Sequence, residues 1–461
     1  MEKCRFESGK DHQITLISGS NPGWPTTFIN GEDMQLNEDQ LAITKKVIEG
    51  KNIFIDGPGG VGKSVTVNHI RKHFGESTVF LAPTGIAALN IDGATIHSTF
   101  KFPFNVLWKK DHGQINESTR EVFDKDGPVK RIVIDEISMV RVDLFRAIDQ
   151  QLRKIRRLKH SPFGGLQIIV VGDFYQLSPV LTPRDKKFFD EHFDSPFAFT
   201  DSTWSEAQFE HCPLDKIMRQ NDVDFISNLM KIRNKVQGWE QSVSFFNNVG
   251  LENKEQVLDE DPVFLCTTNK AANAINEQNY QELDEKEKVF TAAKKGKFGA
   301  EPSPFDLKLK FGTKIIFTAN HDDFKNGQTG YVVGFVGDKI EVILEHDESK
   351  ILVEKYRWEE KEYAASKDKG LYQYPVGSYT QYPLKHGWAA TIHKCQGQSL
   401  DHGIIHLGNG AFCHGQTYVA LSRMRTLEGL ALFDKILKKD IIVDESIHEF
   451  YENDCKGIGL F

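Results

Sequence analysis

The sequence predicts an α/β protein built on parallel strands, and three observations carry that reading. Four short apolar runs, NIFI (52–55), VFLA (79–82), RIVI (131–134) and LQIIVV (166–171), each end in a turn or polar cluster. Helical patterns lie between several of them, as crossovers between parallel strands require. The clusters at their carboxyl ends, GPGGVGKS, PTG, DE and GDFYQ, stand where ligands gather in such sheets.

Composition bounds the function. Apolar residues are 39% and charged residues 26% of the 461, a globular balance with room for about three domains of ~150 residues. The longest apolar runs fall well short of the ~20 residues that cross a bilayer, so no membrane partner is expected. The opening MEKCRFESGKDHQ has no apolar core of a secretory signal. An intracellular protein is expected, cytoplasmic if bacterial, phage or viral, with nucleus and mitochondrion left open. Six cysteines without a CxxC pair point to reduced thiols. A net charge of −8 confines any nucleic-acid site to a local basic channel.

Residues 1–35 mix Gly, Ser, Asn, Pro and Thr without periodicity and read as an irregular lead-in. Asn37 then caps a helix whose Leu41, Ile43, Val47 and Ile48 recur at helical spacing until Gly50. The four strands follow, with Lys101 to Val129 as a polar and aromatic insertion between two of them. From about residue 210 a second half begins, with strand candidates VFLCTT (263–268), KIIFTA (314–319), YVVGFV (331–336), KIEVIL (339–344) and GIIHL (403–407). Asp322 to Pro383 reads as a small β insertion, and no second phosphate loop occurs.

Gly57, Pro58, Gly59, Gly60, Val61, Gly62, Lys63 and Ser64 spell GxxxxGK(S/T) between the first strand and a helix that Val65 continues. Such glycines let the backbone wrap phosphate oxygens, so that amide N–H groups and a helix N-terminus face the charge. Lys63 adds a cation and Ser64 a hydroxyl for Mg²⁺. Asp135 and Glu136 end the third strand, where one carboxylate can hold Mg²⁺ and the other orient or deprotonate a water. Gln176, after the fourth strand, is a neutral amide suited to the γ-phosphate or its water. Arg219 and Arg423 are the candidates for the cation that stabilises a phosphoryl transition state, with a surface salt bridge as the alternative for each. His69 and His73 have the i, i+4 spacing of a helical metal pair but lack the Glu of a zincin, the group His402, His406, Cys413 and His414 fits no common zinc module, and both read as structural.

The segments LNEDQ, GPGGVGKS, APTGIAALNIDGATIHSTF, VIDEISMVRVDLFRAID, GDFYQLSPV, LDKIMRQ, FKNGQTG, GWAATIHKCQGQSLD and YVALSRMRTLEGL resemble, in order, the motifs of the superfamily-one Pif-type DNA helicases. The resemblance runs from about Leu36 to Leu432, and EISMVRVDLFRAIDQQLR resembles the segment that separates this family from RecD-type relatives. It implies two RecA-like P-loop motor domains, 36–210 and 211–461, with a wedge at about 101–129 and an SH3-like insertion at about 322–383. It further implies a 5′-to-3′ DNA helicase driven by ATP and Mg²⁺, with RNA–DNA hybrids and G-quadruplexes as further substrates and roles in replication, repair and recombination. By that resemblance Gln40 contacts adenine, Lys63 and Ser64 the phosphates and Mg²⁺, Asp135 the Mg²⁺, and Glu136 the water. Gln176, Arg219 and Arg423 then complete the γ-phosphate shell.

Partners implied are single-stranded DNA and duplex junctions, bound as a monomer or a DNA-induced dimer. Thr84, His97, Thr391, His393 and Lys394 lie in motifs that in the family face single-stranded DNA, and the tripeptide TIH occurs at both 95–97 and 391–393. Phe100, Phe102, Phe104 and Tyr175 are aromatic candidates for stacking on or separating bases. Three rivals remain: a GTPase switch, which Asn269-Lys270 begins but NKAA fails to complete; a decayed nucleic-acid-binding scaffold; and a RecD-type subunit of a nuclease complex.

Overall fold

The computed structural model describes residues 36–108, 115–220, 222–366 and 368–455. The expected lead-in at 1–35 lies outside the described residues, as do 109–114 of the expected wedge. The first helix, α1 (Glu38–Ile48), is closed by a capping box in which Asn37 and Gln40 each accept the other's backbone N–H.

The first sheet contains β1 (Ile53–Asp56), β2 (Thr78–Ala82), β3 (Ala94–Thr95), β4 (Arg131–Ile134), β5 (Gln167–Gly172) and β6 (Glu210–Pro213). Their order in space is β3-β2-β4-β5-β1-β6, and every pairing is parallel. All residues of β1, β2, β4 and β5 are buried, which is why they read as unbroken apolar runs. The short edges β3 and β6 carry no such run. Because Glu210–Pro213 pairs with β1, the first layer continues past the expected boundary at 210.

A second parallel sheet has the order Ala389–Thr391, Val263–Cys266, Gly403–His406, Leu430–Leu432. The chain then returns: the helix Glu445–Asp454 buries Ile447 and Phe450 in the first core beside Phe54, Phe174 and Trp204. The expectation that everything after 210 packs in the second half is corrected on that point.

The β-rich insertion is wider than 322–383. Strands run from Lys288–Thr291 to Leu384–His386, and Lys314–Phe317 sits inside a five-stranded antiparallel sheet between Thr329–Val336 and Leu384–His386. Its four residues are all buried, so the sequence alone does not distinguish it from a strand of the α/β sheet. A long hairpin, Tyr356–Ser366 with Gly370–Gln381, leaves this insertion and touches the first layer. There the Tyr363 hydroxyl accepts the Phe80 N–H at 2.9 Å, and Lys361 pairs with Asp92 at 2.9 Å.

The expected wedge does not stand clear of the first layer. Val122, Phe123 and Val129 are buried in its core, and the first residues of the wedge are tied to the start of the signature helix Val142–Arg156. Asp143 accepts the Leu107 N–H at 2.7 Å, and Arg141 donates to the Asn105 carbonyl at 3.1 Å.

Candidate active site

The loop after β1 is shaped by backbone demands that only glycine meets. Gly57 has φ +145° and Gly60 φ +87°; a Cβ at Gly57 would lie 2.3 Å from the Leu214 carbonyl oxygen, and one at Gly60 2.6 Å from Arg219 Cβ. Gly62, also left-handed, precedes α2 (Lys63–Phe74), and no side chain caps the first turn. Its free amides and the helix dipole therefore face the loop, an arrangement suited to an anion. Lys63 curls into the same space, where Nζ donates to the carbonyls of Gly57 (2.6 Å) and Pro58 (2.9 Å). Burial lowers its pKa against the opposing pull of Asp173, Glu136, Asp56 and Asp135. Ser64 and Val65 are exposed beside it, and Gln40 reaches the loop from α1 through Nε2 to the Gly62 carbonyl at 3.3 Å.

The carboxylates stand at the end of β4. Burial raises the pKa of Asp135, whose Oδ1 also accepts the Glu136 N–H at 2.9 Å. Glu136 is pushed up to about 7, by burial first and Asp135 next. It adopts φ 51°, ψ 49°, a left-handed conformation that costs energy for a non-glycine residue and recurs at functional sites. Gln176 is buried, and its amide donates to Asp173 Oδ2 at 3.2 Å. Asp173 is clamped in turn by Arg233, with Nη2–Oδ1 at 2.7 Å.

Both arginines converge on the loop. A methyl group at Gly59 would meet Arg423 Nη2 at 3.1 Å and Arg219 Nη1 at 3.3 Å. Arg219 bonds the Ser422 carbonyl at 3.0 Å, and its pKa is pushed down to about 9 by burial and then by Arg423. Arg423 is buried, with Nη1 on the Gln398 carbonyl at 3.1 Å. Neither makes a salt bridge among the described residues. Two further groups, which sequence reading did not select, meet here. The Tyr418 hydroxyl accepts the Gly59 N–H at 3.3 Å, and Gln396 Nε2 donates to Glu136 Oε2 at 3.0 Å. Both stand in segments that resemble helicase motifs, which was the available signal.

The DNA-facing candidates divide. Thr391 and Lys394 line a groove of about 780 Å³ between the two sheets and the β insertion. Thr84 caps the helix Gly85–Asn90, whose Ile86, Leu89 and Asn90 line the same groove. His97 stacks on Phe104, with centroids 4.8 Å apart, and Phe104 is 85% exposed. His393 lies parallel to the exposed Phe412 at 6.5 Å. Burial lowers the pKa of both histidines, favouring neutral rings. Tyr175 is a correction: it is 1% exposed, stacked on Tyr451 at 5.0 Å with Arg233 over its ring, and offers no face to a base. Phe100 and Phe102 stack on each other in the core and are corrected likewise. His414 is structural, its ring nitrogens bonded to the Phe174 carbonyl and the Asp444 N–H.

A phosphate loop, paired strand-end carboxylates, a buried glutamine and two converging arginines, placed between two parallel sheets, define a P-loop nucleotide hydrolase of the two-layer motor class. The PIF1-like helicase profile matches residues 35–244. The ATP-dependent DNA helicase Pif1 of Campylobacter jejuni is 31% identical over 447 residues, covering 88% of this chain and 96% of that protein. Pif1 from Bacteroides sp in complex with ADP-AlF4 superposes with a TM-score of 0.82 at 31% identity, over 92% of this chain and 99% of that one. Bacteroides Pif1 bound to ssDNA gives a TM-score of 0.64 at 31% identity, over 91% and 97%. The chain belongs to the PIF1-like helicase family.

Proposed function

We propose that the chain is an ATP-dependent DNA helicase that moves 5′-to-3′ along single-stranded DNA and opens duplexes ahead of it. The observation that carries this reading is the convergence of Arg219 and Arg423 on Gly59. A guanidinium delivered from the second layer neutralises transition-state charge only when the layers close, so hydrolysis and movement are tied. Residues 36–213 with 445–455 form the first motor domain in this reading, and 214–444 the second with its β insertion.

In the cleft, the loop amides and Lys63 hold the phosphates and Gln40 faces the adenine. Glu136 takes a proton from the attacking water, Gln176 contacts the γ-phosphate side, and Arg219 and Arg423 stabilise the departing charge. Ser64 and Asp135 offer a hydroxyl and a carboxylate oxygen, the hard donors Mg²⁺ prefers. Mg²⁺ binds with few protein ligands plus phosphate and water, so two such donors fit it, and bound there it neutralises phosphate charge. Thr84, His97, Thr391, His393 and Lys394 contact the strand, Thr391 and Lys394 from the lining of the groove. Unwinding of duplexes with a 5′ or a 3′ single-stranded tail, with ATP or GTP, tests function, polarity and nucleotide together. Opening of the 5′-tailed duplex alone, with ATP, is expected; preference for the 3′ tail reverses the polarity, and no opening with either tail removes the helicase.

A further inference from the structure

The turn Gln396-Gly397-Gln398 is joined to both the nucleotide cleft and the groove. Gln396 Nε2 donates to Glu136 Oε2 at 3.0 Å and to Gln176 Oε1 at 3.3 Å. The next two carbonyls hold the arginines: Gly397 O accepts from Arg219 Nη2 at 3.3 Å and Gln398 O from Arg423 Nη1 at 3.1 Å. On the other side, Thr391, Lys394 and Gln398 line the groove, and Gln398 Nε2 donates to Asn326 Oδ1 at 3.0 Å. Two side-chain atoms of this array are left over, Gln398 Oε1 towards the groove and Gln396 Oε1 beside Glu136. Gln396 Oε1 is buried and has no hydrogen-bond partner among the described residues. Buried acceptors are nearly always satisfied, so an orphan beside a general base points to a ligand that donates to it.

Resting on the ATPase reading above, we propose that Gln396 is a catalytic residue whose Oε1 accepts a hydrogen from the attacking water. Water carries two hydrogens, and in-line attack fixes both. As the water oxygen bonds the γ-phosphorus, the bond from that phosphorus to the β,γ-bridging oxygen breaks and its electron pair leaves with ADP. One proton passes to Glu136. The other stays on the new phosphate oxygen and is held by Gln396 Oε1 through the transition state. Nε2 of the same amide keeps Glu136 and Gln176 in register. Because the turn also borders the groove, the water's second acceptor is set in place by the segment that faces the strand.

The test uses the full chain with saturating single-stranded oligothymidine. Gln396→Leu keeps the bulk and removes the acceptor, and is expected to lower kcat on the order of 100-fold, as loss of one fixed polar group in a hydrolytic site does. The KM for ATP, oligothymidine affinity and binding of a non-hydrolysable ATP analogue should stay within about twofold. Affinity for ADP–AlF4, whose axial water mimics the nucleophile, should fall in parallel with kcat. Gln396→Asn retains a polar amide for folding but withdraws it by one methylene, and should also lose at least about tenfold in kcat. Less than a tenfold loss in either variant overturns the assignment. So does an equal loss of affinity for both analogues, the mark of a structural role. A wild-type chain with no ATPase at any oligothymidine concentration would sink the reading beneath this inference and the inference with it.

Discussion

The two parallel sheets repeat one another at the edge and differ at the centre. Ala94–Thr95 and Ala389–Thr391 are both edge strands, and each leads into a TIH tripeptide whose histidine lies against an exposed phenylalanine. Thr84 and Thr268 each cap the helix that follows an inner strand, accepting the N–H of Ala87 and Ala271 at 3.2 Å. Only the first sheet carries the glycine loop. The proposed strand-facing edge is duplicated, whereas the nucleotide chemistry is divided: backbone amides and carboxylates on one side, and Arg423, Gln396 and Tyr418 on the other. A cleft divided in this way works only when its halves meet.

Breaking that division at its most demanding point gives the largest effect. Arg423→Ala should lower DNA-stimulated ATPase on the order of 10³-fold or more, with unwinding lost alongside it. Affinity for single-stranded DNA without nucleotide should be nearly unchanged, since the side chain points at Gly59. Arg423→Lys should restore little, because lysine keeps the charge but not the fork. A variant that hydrolyses ATP normally yet no longer binds DNA would move Arg423 to the strand side of the comparison. Glu136→Gln breaks the other half: hydrolysis should fall about 10²–10⁴-fold while Mg·ATP still binds, as measured by turnover and nucleotide titration.

Below these come effects on the joint between the halves. Arg233, on the helix Val223–Asn234, pairs with Asp173 of the first layer, and both are buried. Arg233→Met leaves Asp173 as an uncompensated buried charge, and should cost about 3–5 kcal/mol in denaturant unfolding. A midpoint equal to wild type would show that water reaches Asp173 and that the joint is loose.

How far the sequence exposed this arrangement follows the same line. The phosphate loop is eight consecutive residues, 57–64, and its neighbouring strands are unbroken apolar runs, so both were legible. Contacts that cross the joint were not. Tyr418 meets Gly59 over 359 positions of sequence and Gln396 meets Glu136 over 260, distances at which no local pattern links two residues. Tyr418 sits among the apolar residues of YVALSR, a setting that gives no sign that its hydroxyl is the part that meets Gly59. Tyr175 was misread, because an aromatic among polar residues gives no sign of whether a returning helix will cover it. That cover comes from Tyr451, in the last helix of the described chain.

The finest contrast lies between two phenylalanines on either side of Pro103. Phe102 is 5% exposed and stacked on Phe100 at 5.4 Å, while Phe104 is 85% exposed and stacked on His97. The reason is downstream: Asp143 and Arg141 of the signature segment grip Leu107 and Asn105, which pins the chain just after Phe104 and leaves its ring outside. Phe102→Ala should therefore destabilise the fold by about 3–5 kcal/mol. Phe104→Ala should leave the melting midpoint and DNA-saturated kcat intact but weaken single-stranded DNA binding by about 1–3 kcal/mol, the worth of one base stacked on an aromatic face. Fluorescence anisotropy of a labelled oligothymidine, set beside thermal melts of both variants, separates the two. If Phe104→Ala binds DNA as tightly as wild type, the exposed ring touches no base, and the His97–Phe104 pair loses its place as the first sheet's counterpart to His393 and Phe412.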